Sequence, residues 1–254
     1  MQVTDRTPAD SAEHPWRSAT LFGTRRQSRH ARTLTFRVPG WTPHLPGQHL
    51  EVRLTAPDGY TARRRYAIAE PYARDRVAIT VDIRPHGEVS PYLAQTMRLG
   101  DQLDVRGPFD DGFSCDPDDL DAPGRPLLLL AGDTGIVPLV TILRARARVE
   151  NRPPVLLVYW ARDARSLLYR TDLDAPGEDV EVRVIHDGSG AGSTARLSTP
   201  DDLREPAAWR GCPSAVAYVS GPDPFVDEVA ALLRERGYDG GRVKLQRFGH
   251  HAPR

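Results

Sequence analysis

The run ARRRYAIA, residues 62–69, combines side chains that can bind a flat, phosphorylated ligand. If this run is an extended strand, alternate side chains share a face, so Arg64 and Tyr66 point to the same side. A guanidinium can pair with phosphate oxygens, and a phenol ring can pack on a planar ring system. A solvated basic edge strand explains the same residues, and the run alone does not decide between the two interpretations.

A second segment, GEVSPYL at residues 87–93, predicts a turn that leads into a helix. Ser90 is placed to cap that helix, and Pro91 is placed to occupy its first position. The backbone N–H groups at such a helix start can hold a phosphate group. A capped helix without any ligand is the simpler interpretation of this segment when it is taken alone.

Two strand-to-helix turns in the second half of the chain are candidates for ligand binding because of their position, although the first is poor in glycine. In LLLLAGDTGIVPLV, residues 127–140, a buried strand ends at Gly132 and a helix begins near Pro138. In AYVSGPDPFV, residues 217–226, a strand ends at Ser220 and a Gly-Pro pair breaks directly into a helix. Ligands of open α/β sheets sit at this carboxyl edge of the strands. Ordinary strand-to-helix turns explain each segment equally well in isolation.

Two differently built domains are needed to position these segments. Residues 1–15 are polar and predict a disordered tail. Residues 16–112 alternate short β-rich runs, six of them candidate strands, with turn residues, which predicts an antiparallel β barrel or sandwich. Residues 113–125 are rich in Pro and Asp and predict a linker. Residues 126–254 alternate continuous apolar runs with helical segments, which predicts a doubly wound α/β domain with a parallel sheet.

The composition argues against several classes of function. Lys and Arg together number 34, as do Asp and Glu, so no net charge favours nucleic acid or an anionic membrane as a partner. The two cysteines cannot supply the thiolates that an iron–sulfur cluster usually requires. The histidines lack metal-ligand spacing, so no metal site is predicted. No apolar stretch reaches the roughly 20 residues of a membrane-spanning helix, and a cytoplasmic location is expected.

Taken together and in this order, the motifs resemble the ferredoxin–NADP reductase superfamily. PGQHLEVRL at residues 46–54, LGDQLDVRGPF at 99–109 and QRFG at 246–249 add to the resemblance, which runs from Trp16 to Gly249. The chain is similar in particular to stand-alone bacterial oxidoreductases of that group. The resemblance implies a flavin-binding barrel that holds FAD, followed by an NAD(P)-binding domain.

The resemblance also implies an activity. A flavin-dependent NAD(P)H oxidoreductase would pass hydride from NADPH or NADH to FAD and release electrons to a separate acceptor. That acceptor would be a ferredoxin, a flavodoxin, an oxygenase, a cytochrome or a small molecule. The sequence leaves the choice among these acceptors, and the oligomeric state, open.

The resemblance assigns roles residue by residue. Arg64 would bind the flavin phosphates and Tyr66 would pack on the isoalloxazine ring, whereas the two flanking arginines would face the other side. The segments around the ribityl and pyrophosphate groups of the flavin would include Ile68, Gly87, Val89 and Ser90. The turns that face the nicotinamide cofactor would include Gly132, Thr134, Gly135, Pro138, Gly221 and Pro222. Arg162 and Arg165 are candidates to select the 2′-phosphate of NADPH, and two solvated loop arginines are the alternative.

Three departures from the family's pattern lie at the expected hydride-transfer junction, where Tyr66, Ala67 and Ser220 occupy the catalytic positions. Ala67 stands where the family has a serine, Asp133 where the turn has its second glycine, and Ser220 where a cysteine precedes Gly-Pro. These departures motivate an alternative: an FAD-bound biosynthetic enzyme that no longer uses NAD(P)H efficiently and acts on a small molecule, by redox or non-redox chemistry. A flavin-free scaffold protein is a third interpretation, which the presence of Arg64 and Tyr66 disfavours.

Overall fold

The structure, a computed structural model, describes residues 14–84, 87–120, 125–186 and 215–248. The predicted N-terminal tail lies outside the described residues from position 1 to position 13. Cys212, His86 and the end of the chain from Gly249 onward also lie outside them.

Six antiparallel strands form the first sheet and confirm the predicted barrel. Their bounds are β1 Arg17–Arg26, β2 Ala31–Arg37, β3 His49–Thr55, β4 Thr61–Ala67, β5 Arg76–Asp82 and β6 Gln102–Phe109. In the sheet they run in the order β4-β3-β6-β1-β2-β5. An isolated bridge joins Ile68, just after β4, to Ile79 of β5, so the two edges meet and the sheet closes.

Alternating side chains of these strands fill the barrel. Leu34 and Phe36 of β2 are fully buried, because every second side chain of a strand points to the same face. A short helix, α1 at Val89–Pro91, continues as a π-helical segment at Tyr92–Thr96. Leu93 of this segment is buried in the barrel core, so the helix closes one part of the barrel.

The start of α1 differs from the sequence prediction. Glu88, rather than Ser90, is the residue immediately before the helix. Ser90 lies inside the helix, where its hydroxyl accepts a hydrogen bond of 3.0 Å from the N–H of Arg84. The serine oxygen therefore satisfies a backbone group of the preceding segment instead of capping its own helix.

Five parallel strands form the second sheet and confirm the predicted α/β domain. Their bounds are β7 Leu127–Gly132, β8 Val155–Ala161, β9 Val180–His186, β10 Val216–Gly221 and β11 Val243–Arg247. Their order is β11-β10-β7-β8-β9. The chain moves outward from β7 through β8 to β9 and then returns to the other side of β7. Ligands of such sheets bind beyond the carboxyl ends of the strands at the point where this order reverses, here between β7 and β10.

Helices cover both faces of the parallel sheet. They are α2 Pro117–Leu120, α3 Ile136–Arg146, α4 Arg170–Asp174 and α5 Asp223–Glu235. Helix α3 packs on the face that contains Leu127 and Leu129, and α5 packs on the face that contains Leu128 and Leu130. This double cover explains the continuous apolar sequence of β7. Among the helices of the described ranges, none is long and apolar enough to cross a membrane.

The segment predicted as a linker, residues 113–125, is packed over much of its described part. Phe113 and Cys115 are buried, and the ring of Phe113 meets that of Tyr218 edge-on with centroids 5.5 Å apart. The same core also contains Ala67 of the barrel. One apolar core therefore extends from the parallel sheet to the barrel, and the connecting segment contributes to it.

Candidate functional site

Three glycines allow the turn after β7 and the end of β10 to pack closely at the switch point. A Cβ on Gly135 would lie 1.9 Å from the carbonyl oxygen of Ser220. A Cβ on Gly132 would lie 2.8 Å from Cδ1 of Phe225, and one on Gly221 would lie 2.7 Å from the same atom. Packing alone therefore requires glycine at these three positions, whatever ligand the crevice holds.

The turn between β7 and α3 is a single 3₁₀ turn, Asp133–Gly135, that runs directly into the helix. Asp133 has a φ of +50°, in the left-handed region that glycine adopts most readily. Thr134 is half-buried in this turn, and Pro138 is buried in the first turn of α3. The first N–H groups of α3 therefore lie at the carboxyl edge of β7, where they can hold an anionic group.

Ser220 and Gln246 place two polar groups on the buried side of the crevice. They are register partners on β10 and β11 and share the sheet face of Tyr218, which packs in the core common to both domains. Ser220 is fully buried, and neither its Oγ nor Oε1 of Gln246 has a hydrogen-bond partner among the described residues. Nε2 of Gln246 donates to the carbonyl oxygen of Gly47 in the barrel over 3.1 Å.

This pair of oxygen atoms fits a primary amide. The hydroxyl of Ser220 can donate to an amide oxygen, and Oε1 of Gln246 can accept from an amide N–H. The nicotinamide ring carries such a carboxamide, so the donor and acceptor set fits the cofactor predicted for this crevice. Gln246 is not among the residues that the sequence predicts for the site. It lies within the segment QRFG, which adds to the family resemblance, and its register with Ser220 places it in the site.

Strand β4 carries Arg64, Tyr66 and Ala67, in that order, toward the second domain. Ala67 is buried in the core that both domains share, and Tyr66 packs partly buried against the barrel core. Burial raises the pKa of the Tyr66 phenol, and the nearby charge of Arg64 partly offsets this rise. Arg64 and Tyr66 are thus close neighbours, as alternate residues on one face of a strand should be. Their roles as flavin ligands stay a prediction.

The guanidinium of Arg64 lies partly exposed beside Glu88. Its Nη2 is 4.0 Å from Oε2 of Glu88, and the same oxygen accepts a hydrogen bond of 3.2 Å from the hydroxyl of Tyr60. Glu88 follows Gly87, so these contacts bring Arg64 next to the turn predicted to face the flavin phosphates. An accessible guanidinium beside a glycine turn fits a phosphate-bearing ligand such as FAD.

The remaining predicted flavin contacts lie in tightly bonded backbone. The N–H of Gly87 donates to the carbonyl of Arg84 over 2.9 Å, and a Cβ on Gly87 would lie 3.1 Å from Oγ of Ser90. Val89 and Ile68 are buried. The N–H of Ile68 donates a hydrogen bond to the carbonyl of Gln48 in the barrel. The carbonyl of Ile68 accepts a hydrogen bond from the hydroxyl of Thr141 in α3. Both backbone groups of Ile68 are therefore bonded within the protein.

The two flanking arginines of β4 form contacts of their own. Arg65 lies 3.4 Å from a carboxylate oxygen of Glu51 and 3.5 Å from one of Asp111. The guanidinium carbon of Arg63 lies 5.6 Å from the centre of the Trp16 ring. Both side chains are largely exposed, and their partners explain their presence without any ligand.

Hydrogen bonds from α3 join the parallel-sheet domain to the segment after β4. The hydroxyl of Thr141 donates to the carbonyl of Ile68 over 3.1 Å. Nη1 of Arg144 donates to the carbonyl of Ala69, also over 3.1 Å. The other two nitrogens of Arg144 bind the carboxylate of Asp172 at 2.8 and 3.0 Å. The helix that begins at the crevice is therefore bonded directly to the chain that carries the flavin motif.

Arg162, predicted as a candidate for the 2′-phosphate, lies in a largely buried ion cluster. Its Nε is 3.4 Å from Oδ1 of Asp133, and its Nη2 is 3.8 Å from Oδ2 of Asp82. Burial raises the pKa of Asp82, whereas the charges of Arg84 and Arg162 lower it. The other candidate, Arg165, is exposed. The carboxylate of Asp133 is thus next to a positive charge of its own chain.

Comparisons with known proteins relate this chain to flavin-dependent reductases. Residues 18–111 match the family described as oxidoreductase FAD-binding domain. The chain is 30% identical over 224 residues to the ferredoxin reductase component of 3-ketosteroid-9-alpha-monooxygenase from Rhodococcus rhodochrous, a match that covers 85% of this chain and 60% of that protein. It is 25% identical over 224 residues to a flavohemoprotein from Rhodopirellula baltica, covering 82% and 53%. The chain therefore spans between 53% and 60% of the length of these two relatives.

The fold also has a counterpart among solved structures. The FAD/NAD-binding domain of nitric oxide dioxygenase from Vibrio cholerae matches with a TM-score of 0.76 at 18% identity, covering 92% of this chain and 98% of that one. At this identity the likeness shows the fold alone. Residues 18–111 thus match an oxidoreductase FAD-binding domain, and the closed barrel followed by a five-stranded parallel sheet is the two-domain fold of ferredoxin reductase-like FAD/NAD-binding proteins.

Proposed function

We propose that this chain is a flavin-dependent NAD(P)H oxidoreductase, which passes hydride from a nicotinamide cofactor to FAD and electrons on to a separate acceptor. The observation that carries the proposal is the buried pair of Ser220 and Gln246, whose unpartnered oxygen atoms lie on the sheet face that packs toward the barrel. The barrel contributes Ala67 to the same core. Two cofactor sites that meet at a buried boundary suit direct hydride transfer, which requires close and oriented reactants.

On the barrel side, three residues of β4 have distinct tasks. Arg64 binds the pyrophosphate of FAD through charge-assisted hydrogen bonds. Tyr66 packs its ring on the isoalloxazine. Ala67 presents only a methyl group, so it excludes water at the junction without donating a hydrogen bond. Bound FAD would supply the chemistry itself, because it can accept a hydride and give up single electrons.

On the side of the parallel sheet, the chain binds and orients the nicotinamide cofactor. The turn at Thr134 and Gly135, together with the first N–H groups of α3, holds the pyrophosphate. Ser220 and Gln246 bind the carboxamide and thereby fix the rotation of the nicotinamide ring. Pro222, the residue before α5, ends β10 directly beyond this position and would border the nicotinamide site.

The electron acceptor is inferred to be a separate ferredoxin-type protein or an oxygenase. The Rhodococcus relative is named as the ferredoxin reductase component of a monooxygenase, which supports an acceptor of this class. The alternative, a biosynthetic flavoenzyme with little use of NAD(P)H, depends in part on repulsion by Asp133. Arg162 lies 3.4 Å from the carboxylate of Asp133, so its positive charge offsets the negative charge of that carboxylate. The repulsion on which the alternative depends is therefore weaker.

Steady-state turnover with an artificial acceptor tests the proposal. The protein is loaded with FAD, mixed with NADH or NADPH, and supplied with ferricyanide, whose loss of absorbance reports electron transfer. We expect many turnovers per protein molecule with at least one of the two cofactors. A rate no higher than that of free FAD at the same concentration would contradict the proposed function.

A further inference from the structure

Arg162, the residue that follows β8, lies at the position where doubly wound sheets recognise the adenosine ribose of a bound dinucleotide. β8 is the parallel neighbour of β7, and Arg162 comes directly after its last residue, Ala161. In doubly wound sheets a carboxylate near this position favours a free 2′-hydroxyl, and an arginine accommodates a 2′-phosphate. By residue type alone, Arg162 therefore predicts NADPH.

Two carboxylates hold the guanidinium of Arg162. Its Nε is buried from solvent without a hydrogen-bond partner among the described residues and lies 3.4 Å from Asp133, an ion-pair contact, and its Nη2 lies 3.8 Å from Asp82. Both carboxylate side chains are only 11% exposed, so water screens these contacts weakly. A 2′-phosphate carries about 1.5–2 negative charges near neutral pH. To bind Arg162, it would have to compete with both carboxylates and then remain close to them.

The fold fixes both carboxylates in place. Asp133 lies in the 3₁₀ turn that leads into α3, and its left-handed φ of +50° leaves the backbone little room to move. Asp82 is the last residue of β5 and pairs with Ala31 in the barrel sheet. The two carboxylates thus reach Arg162 from different domains, which the hydrogen bonds of α3 hold together. Arg162 cannot turn to a ligand without breaking contacts to both domains.

The loop after β8 adds a further negative charge. Oδ1 of Asp163 accepts hydrogen bonds from the N–H groups of Arg165 and Ser166, each at 2.8 Å. Adjacent N–H groups of a turn can form a site for an anion, and here the chain's own carboxylate takes that place. The hydrogen bond from Ser166 lowers the pKa of Asp163, so this carboxylate is ionised near neutral pH. It would repel a 2′-phosphate but not a free ribose hydroxyl.

We propose that Arg162, held by Asp133 and Asp82, determines cofactor specificity, and that the chain takes NADH, the dinucleotide without a 2′-phosphate. The inference rests on the proposed function, because it concerns the nicotinamide cofactor of that reaction. Asp133 is then a specificity residue rather than a defect in the phosphate-binding turn. The exposed Arg165 has no part in the discrimination.

Calorimetric titration of the FAD-loaded protein with NAD⁺ and NADP⁺ isolates the contribution of the 2′-phosphate, because the two ligands differ only there. We expect the wild-type protein to bind NAD⁺ about tenfold more tightly than NADP⁺, a difference typical of one lost charge-assisted contact. Asp133→Gly, which suits the left-handed φ, should free Arg162 and shift the ratio toward NADP⁺ about tenfold. Adding Arg162→Gln should abolish that shift, whereas Arg165→Gln alone should leave the wild-type ratio unchanged.

Tighter binding of NADP⁺ than of NAD⁺ by the wild-type protein would overturn the specificity inference. An unchanged ratio in Asp133→Gly would overturn it as well. In both cases reduction of the bound flavin would still proceed and the proposed function would stand. If neither dinucleotide bound and neither reduced form bleached the flavin, the proposed function would fail together with the inference.

Discussion

The hydroxyl of Thr141 donates a hydrogen bond of 3.1 Å to the carbonyl oxygen of Ile68 and so joins α3 to the residue just beyond β4. One turn further along the helix, Arg144 donates to the carbonyl of Ala69 over the same distance. Helix α3 begins at the turn proposed to hold the nicotinamide cofactor, and β4 carries the residues proposed for FAD. The spacing of the two cofactor sites is therefore set by direct bonds between the domains.

Removing the side chain of Arg144 should loosen this junction. Arg144→Met breaks the paired contacts of 2.8 and 3.0 Å to Asp172 and leaves the carbonyl of Ala69 without its donor. Loss of one partner of such a pair should lower the free energy of unfolding by about 3 kcal/mol. Chemical denaturation measures this change. Arg148→Met, at an exposed position just beyond α3, is the matched control and should stay within about 0.5 kcal/mol of the wild type.

Similar unfolding free energies for the Arg144 and Arg148 variants would show that the domain junction does not depend on this contact. In that case the remaining interdomain bonds, such as that of Thr141, would have to hold the two sheets together by themselves.

Arg64 and Arg63 are neighbours on β4, but only Arg64 should affect flavin binding. Arg64→Ala should weaken FAD binding by about tenfold or more, because charge-assisted hydrogen bonds contribute about 1.5–3 kcal/mol. Arg63 contacts the Trp16 ring instead, so Arg63→Ala should change the dissociation constant by less than about threefold. Quenching of flavin fluorescence on titration into FAD-free protein measures both constants. An equal loss of FAD affinity in the two variants would refute the conclusion that Arg64 faces the flavin and Arg63 does not.

The sequence predicts the elements well because their signals are local. Strand β7 reads LLLLAG and is buried on both faces, and β2 places the fully buried Leu34 and Phe36 two residues apart on one face, as expected for a barrel strand. The capping role of Ser90 was wrong because its hydroxyl accepts from Arg84, a tertiary contact that competes with the local one. A pattern within a few residues cannot reveal that competition.

A methyl group on Gly135 should be far more damaging than one on Gly240. The added Cβ of Gly135→Ala would lie 1.9 Å from the carbonyl oxygen of Ser220, so β10 and the turn would have to separate. We expect the free energy of unfolding to fall by about 3 kcal/mol or more. Gly240→Ala meets no atom within 4 Å and should stay within about 0.5 kcal/mol of the wild type. Thermal and chemical unfolding of the two variants give the comparison, and similar stabilities would contradict the close packing at the switch point.

The contacts among the residues around the crevice could not be predicted from the sequence. Asp133 and Arg162 are each recognisable as unusual or charged, but their pairing, with Asp82 from the other domain, depends on how the barrel docks against the sheet. Gln246 enters the site only through its register with Ser220. Such contacts link distant parts of the chain, and the spacing of residues within one segment cannot predict them.

His44 should make the protein less stable below neutral pH. Nδ1 of its buried ring accepts a hydrogen bond of 3.1 Å from the indole N–H of Trp41, so the proton sits on Nε2, 3.0 Å from the carbonyl of Glu70. Burial lowers the pKa of His44 from 6.5, although the bond to Glu70 opposes this change. The unfolded chain therefore binds the proton more readily than the folded one. The stability that neutral His44 provides is present above pH 6.5 and is lost as the pH falls through its lowered pKa.

The difference in free energy of unfolding between wild type and His44→Gln should therefore shrink on acidification, by at most about 1.4 kcal/mol per pH unit. Denaturation curves between pH 7.5 and pH 5, at steps of about half a unit, measure it. His186→Gln, at an exposed position at the end of β9, is the control for replacing a histidine by glutamine. A constant difference for His44→Gln would contradict the neutral, doubly bonded state of the ring.

Anaerobic titration of the FAD-loaded protein with NADH, and then with NADPH, is the most direct test of the proposed hydride transfer. The visible absorbance band of the flavin reports its oxidation state. We expect the band to bleach with stoichiometric NADH, and NADPH to act more weakly because of the charges around Arg162. A band that remains unchanged after an excess of both cofactors would contradict the assignment of this chain as an NAD(P)H-dependent flavin reductase.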